Sequence, residues 1–271
     1  MKLKSLITEL ELPQAAEAAQ DRRAALQWLG KSGARAVLAT LPLGVGSTLT
    51  AQAAPAQSLS EALQLALKLA RLQYEFYTNA LQATNLTFPT PLVRAALQDI
   101  RQHEEAHLNR LLDALTGLGE APEPKPDFDF SLANQFPDVF TSYAGFLAVA
   151  QVLKDGTVRA LKAGLINFFD TKTLLKLMLA MHSTQARHAG YIRNLRRLSG
   201  QPAVTPWVTA AEPDNTVAAV YASEANTQQQ GTDVAALPAG TATIGQATAT
   251  QAFDEPFSAT EIQDFLTLVT L

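Results

Sequence analysis

Apolar residues recur three and four apart along four long stretches, the spacing of a helix with one buried face. The first stretch opens at Ser58 with Glu61 three residues on, a capping-box signature, and runs to about Leu81. The second opens at Thr90-Pro91, a cap followed by proline in the first turn, and fades near Leu115 before Thr116-Gly117. The third covers about Asp138 to Phe168, with Gly156 as a weak point, and the fourth covers about Asp170 to Leu198, ending at Ser199-Gly200-Gln201-Pro202. Between the second and third lies Gly119 to Pro137, with four prolines, which is long for a helix hairpin. Two long helix pairs with a long link predict an all-α four-helix bundle with one long crossover connection.

The inward faces follow from the same spacing. Helix one presents Leu63, Ala66, Leu67, Ala70, Gln73, Tyr77 and Leu81, with Glu75 on the solvent side. Helix two presents Val93, Leu97, Ile100, Glu104, His107, Leu108, Leu111 and Leu115, with Glu105 outside. Helix three presents Tyr143, Leu147, Ala150, Lys154, Val158, Leu161 and Leu165, which places Gln151, Asp155, Arg159 and Lys162 in solvent. Helix four presents Leu174, Met178, Met181, Gln185, His188, Ile192 and Leu195. Each stripe is apolar except near its middle, where Gln73, Glu104, His107, Lys154, Gln185 and His188 fall. A buried polar group without a partner costs a few kcal/mol, so four helices interrupted at one depth imply that these groups meet. His103 and His182 each sit one turn before members of this set and read as boundary packing first, or as hydrogen-bond partners that orient the set; Met178 and Met181 read as core filler.

The chain falls into three parts: 1–54, 55–199 and 200–271. In the first, Arg22-Arg23 precedes a modestly apolar run from about Ala36 to Leu49 and the small residues of Ala51-Gln52-Ala53-Ala54. That order resembles a twin-arginine export signal. It implies a periplasmic or extracellular protein with no membrane anchor after cleavage. A prefix, Met1 to Gln20, carries its own apolar stripe of Leu3, Leu6, Ile7, Leu10 and Leu12. The last part has eight acidic residues and no Lys or Arg. Only Ser258 to Leu271 has helical spacing there, and Trp207, Val208, Tyr221, Phe253 and Phe257 favour an irregular extension wrapped on the bundle.

Cysteine is absent, which excludes disulfides, thiolate metal sites and cysteine nucleophiles. A formal net charge of −4 and the lack of a basic stripe argue against a nucleic-acid partner. No glycine-rich phosphate loop or Gly-x-Ser-x-Gly motif is present.

Glu104-Glu105-Ala106-His107 contains a Glu-x-x-His, and Gln185-Ala186-Arg187-His188 is the same motif with Gln in first place. With Phe76-Tyr77, Arg187-His188-Ala189 and Phe253-Asp254-Glu255-Pro256, the chain resembles the exported ferritin-like, desiccation-related proteins. That resemblance implies a di-iron or di-manganese centre fed by a carboxylate from each helix. Here the corresponding positions hold Ala70 or Gln73, Lys154 and Gln185, leaving Glu104, His107 and His188 as ligands if a metal binds. Two readings follow for the centre. In one, no cofactor is held and Lys154 takes the place of the metal, with Glu104 as its partner and Gln73, Gln185 and the histidines completing the set. In the other, iron, manganese or a single zinc sits on Glu104, His107 and His188. The first predicts a non-catalytic structural, stress-associated or partner-binding protein; the second, an oxidase or ferroxidase. A homo-oligomer, or pairing with a metal-competent ferritin-like partner, is compatible with either.

Overall fold

The computed structural model describes residues 58–271 apart from 211, 213–216, 230, 240 and 241, so the export-signal and prefix readings lie outside the described residues. Four long helices dominate: α1 (Leu59–Gln82), α2 (Pro91–Gly117), α3 (Tyr143–Gly164) and α4 (Lys172–Leu198). Ser58 and Glu61 close the expected capping box on α1, and Thr90 caps α2 ahead of Pro91. The third helix begins at Tyr143 and not at Asp138. Ser142 accepts from Gly145 N as its cap, and Ser142 N donates to Asp138 O at 2.8 Å, so 138–142 is a turn. After Gly164 the chain tightens into a 3₁₀ turn, Leu165–Phe168, before α4.

The link between α2 and α3 runs the length of the bundle. Gln64 Nε2 donates to Ala121 O at 2.8 Å, Arg71 to Glu123 O at 2.6 Å, and Lys125 pairs with Glu75 at 2.7 Å. The link therefore follows α1 from its start toward its end. There Phe130 and Phe140 pack on Phe76, which stacks on Phe146 of α3 at 5.3 Å. Leu132, Ala133 and Asn134 adopt positive φ of 52°, 55° and 62° in this link. This conformation is unfavourable for side chains with a Cβ. Asp129 holds the turn, accepting from Ser131 N and Ala133 N, both at 2.8 Å, while Leu132 is buried. Cover from Phe130 and Phe140 also explains why Phe76, outside the predicted stripe of α1, is buried.

Beyond α4 the chain contains more structure than the sequence reading expected. Besides the terminal helix α6 (Ala259–Val269), it forms α5 (Gln246–Ala252), short 3₁₀ turns and two antiparallel pairs of two-residue strands. The pairs are β1 (Gln228–Gln229) with β2 (Thr232–Asp233), and β3 (Pro238–Ala239) with β4 (Ala242–Thr243). Ser258 and Glu261 form a second capping box, on α6, which buries Ile262, Phe265 and Val269. The Phe265 ring lies on Gly156, where a Cβ would come within 2.5 Å of the ring, so the glycine there makes room for α6. Asp129 N donates to Val269 O at 2.9 Å, which ties α6 to the crossover. No helix among the described residues is long and apolar enough to cross a membrane.

This packing overturns part of the helix-three reading. Gln151, Asp155 and Arg159, assigned to solvent from the spacing, are 2%, 1% and 0% exposed. The extension lies where water was expected. Its chain has no Lys or Arg, so the bundle supplies the cations that hold it. Arg193 pairs with Asp155 at 2.6 Å and Glu212 at 3.1 Å, and donates to Trp207 O at 3.0 Å. Tyr221 Oη donates to Asp155 at 2.7 Å, and Arg196 donates to Gln151 Oε1 at 2.9 Å. Arg159 pairs with Glu224 at 2.8 Å, stacks on Phe257 at 4.4 Å, and donates to Val220 O, Ser223 Oγ and Glu255 O.

Glu224 is fully buried, and its Oε2 finds no hydrogen-bond partner among the described residues. Burial pushes its carboxyl up to about 7; Arg159 opposes the shift, and Asp254 and Glu255 add to it. A raised folded value means that the group stabilises the fold fully below its unfolded value near 4.5 and loses that contribution as pH rises through about 7. Denaturation midpoints are expected to fall between pH 5 and 8, and Glu224→Gln should flatten that slope. An unchanged slope in the variant would remove Glu224 from the account.

Candidate functional site

The polar centre is built from three of the four helices. Lys154 of α3 and Glu104 of α2 are both 0% exposed, and Lys154 Nζ donates to Glu104 Oε1 at 2.6 Å. Gln185 of α4 bridges them: its Oε1 accepts from Lys154 at 2.8 Å and its Nε2 donates to Glu104 Oε2 at 2.6 Å. His188 Nδ1 lies 3.1 Å from Glu104 Oε1, and His107 Nδ1 lies 3.3 Å from Oε2. The Tyr77 ring of α1 faces the ammonium, 5.0 Å from its centroid, a distance at which a desolvated cation is attracted to the ring.

Each member reaches the centre because its helix turns it there. Glu104 and His107 are three apart on α2, as are Gln185 and His188 on α4, so each pair shares one face. Lys154 lies midway along α3, between Leu153 and Ala150 on one side and Val158 and Leu161 on the other, all buried. Its aliphatic stem is surrounded by apolar atoms and its charge has no route to water.

Of the predicted set, Glu104, His107, Lys154, Gln185 and His188 come together, and Gln73 does not join them. Gln73 Nε2 donates to Leu153 O and Thr157 Oγ1, each at 2.8 Å, on the backbone side of α3, and its Oε1 is unpartnered. The spacing placed Gln73 at the right depth; Thr157, one turn from Lys154, captures it. Tyr77 was not anticipated as a partner of the ammonium, and of the two roles open to His103 the structure shows the hydrogen-bonding one. His103, exposed on α2, places Nδ1 3.1 Å from His188 Nε2. Its position one turn before His107 was the signal that it shares that face.

Protonation follows from the donors available. Burial alone would raise Glu104, but the Lys154 ammonium and the hydrogen bonds from His107 and His188 outweigh it and hold the carboxyl well below the usual range. Burial lowers Lys154, with Glu104 pulling the other way; the contact is an ion pair at neutral pH. Burial and the neighbouring ammonium bring His188 down to about 4, so its ring is neutral. A carboxylate can only accept, so His188 donates from Nδ1, its Nε2 accepts, and the His103 Nδ1–H is the donor between the two rings.

This donor set does not fit a pair of divalent metal ions. Hard cations need several carboxylate oxygens to balance about four positive charges. The centre offers one carboxylate, already neutralised by an ammonium 2.6 Å away. A cation placed there would meet that charge at close range in a poorly screened interior. Among the described residues, no group of three or more His, Cys, Asp or Glu is arranged to hold a metal ion.

Two helix hairpins joined by a bundle-length crossover, with polar side chains converging at mid-depth, define the class: crossover four-helix bundles that assemble their centre from facing helices. Residues 58–198 match the family model described as a ferritin-like domain. The chain belongs to that family. No curated protein matches it.

Proposed function

We propose that this is a non-catalytic member of the ferritin-like family, in which the Lys154 ammonium stands where the metal cations of such a centre would lie. Its role is structural, stress- or desiccation-associated, or partner-binding, and its N-terminal segment directs export through the twin-arginine route. The reading rests on one observation: Lys154 Nζ is fully buried and held by Glu104 at 2.6 Å and Gln185 at 2.8 Å. One fixed positive charge satisfies the lone carboxylate without a redox-active ion. Electrons and oxygen would then have no centre to react at, and the bundle serves as a scaffold.

The test is elemental analysis of protein purified after growth with added iron and manganese. Substoichiometric iron, manganese and zinc are expected, with no ferrous-oxidation activity above buffer. Two iron or manganese ions per chain would overturn the proposal, and one firmly held zinc would shift it to a single site on Glu104, His107 and His188.

A further inference from the structure

Where the extension crosses the groove between α3 and α4, it leaves a cavity of about 180 Å³, lined by Val158, Ala186, Ala189, Trp207, Val208 and Asp254 among others. Ala186, Ala189 and Gly190 of α4 and Val158 of α3 give it an apolar floor, flanked by Asp155, Arg159 and Arg193. A closed apolar cavity of roughly 150 Å³ is enough to admit benzene. The space therefore takes a body about the size of one ring. At its margin Trp207 is 48% exposed, so its indole face is open to a ligand.

The charges around the cavity select the ligand. Arg159 and Arg193 both line it, but each is consumed. Arg193 is shared between Asp155, Glu212 and two backbone carbonyls, and Arg159 between Glu224 and the acceptors at 220, 223 and 255. Both Asp155 oxygens accept from Arg193 or Tyr221. Asp254 differs. Lys162 is held on its backbone carbonyl, and its half-buried carboxylate closes no hydrogen bond or ion pair among the described residues. Both arginines that line the cavity are neutralised, whereas the Asp254 carboxylate in the same lining is not, so the lining itself favours a cation over an anion.

We propose that this cavity binds a small organic cation, an ammonium group carried on an apolar body of about one ring. The body lies on Val158, Ala186 and Ala189, and the ammonium faces Asp254 with Trp207 alongside. Carboxylate plus indole is the pairing that recognises amines in water-poor sites. The site is separate from the Lys154 centre, so the two proposals stand or fall independently.

The chain has two tryptophans, Trp28 and Trp207, so Trp28→Phe in the full chain leaves Trp207 as the sole reporter. Benzylammonium is expected to give a saturable change in Trp207 emission, with an affinity at least tenfold above those of benzyl alcohol and benzoate. Asp254→Asn should abolish that preference while leaving the fold unchanged by circular dichroism. Ala186→Leu, which fills the floor, should abolish binding altogether. A non-saturating response, equal affinity for the alcohol, or a preference that survives Asp254→Asn would each overturn the proposal.

Discussion

Lys154→Met is expected to cost about 3–5 kcal/mol of folding stability, the penalty for leaving one member of a buried ion pair without its counterion. Methionine approximates the volume of the lysine stem, so packing along α3 is preserved and the loss is electrostatic. Glu104 would remain fully buried, with only Gln185 and the two histidines to donate to it. Its carboxyl, now held low chiefly by Lys154 against burial, would rise and take up a proton. Removing the whole polar set with Lys154→Met, Glu104→Leu and Gln185→Leu together should recover most of the loss, because a matched apolar core avoids the desolvation of both charges. Urea denaturation of the three proteins measures this. A single variant within about 1 kcal/mol of the parent would mean that the ammonium contributes little, contrary to a pair with both partners at 0% exposure. In the parent, Glu104 contributes above its unfolded value near 4.5 and loses that contribution as pH falls through its much lower folded value. The variant should lose this acid-side dependence.

The depth at which Glu104, Lys154 and Gln185 meet was legible because helical spacing carries position along the axis as well as direction. Three polar residues midway along three apolar stripes must face one another or remain unpaired. The same rule failed on the far side of α3, for a physical reason. Spacing identifies which residues share a face, and it assigns the opposite face to water only if nothing else covers it. Gln151, Asp155 and Arg159 share a face as expected, but the extension covers them. A usable clue was present: a segment from residue 200 onward with eight acids and no cation must find its counterions elsewhere, and α3 and α4 carry arginines at the right pitch. What spacing cannot encode is which carbonyl each arginine meets. Val220, Trp207 and Glu255 offer backbone oxygens, which carry no side-chain signature. Gln73 illustrates a smaller limit, since Thr157 and the carbonyl of Leu153, one residue from Lys154, together take its amide.

Arg193→Met is expected to match Lys154→Met in size, about 3–5 kcal/mol, but to act on a different part of the molecule. Arg193 is 1% exposed and joins α4 to α3 through Asp155 and to the extension through Glu212 and the carbonyls of Thr205 and Trp207. Losing it strands two carboxylates in the interior at once. Tyr221 can still donate to Asp155, and Thr209 N to Glu212, which bounds the damage. The segment at 205–212 is the first part of the extension to meet the bundle, and no lysine or arginine follows it to provide a substitute. Detachment should therefore begin there and spread toward Tyr221. Limited proteolysis should cut the variant after residue 200 at concentrations that leave the parent intact, and hydrogen exchange should rise first in α4 near residue 193 and in 204–212. The Lys154 centre, held by separate contacts on the other face of α3, should keep its protection until global unfolding. Uniform loss of protection across all four helices would show that bundle and extension unfold as one unit, and that Arg193 stabilises the bundle itself more than it fastens the extension.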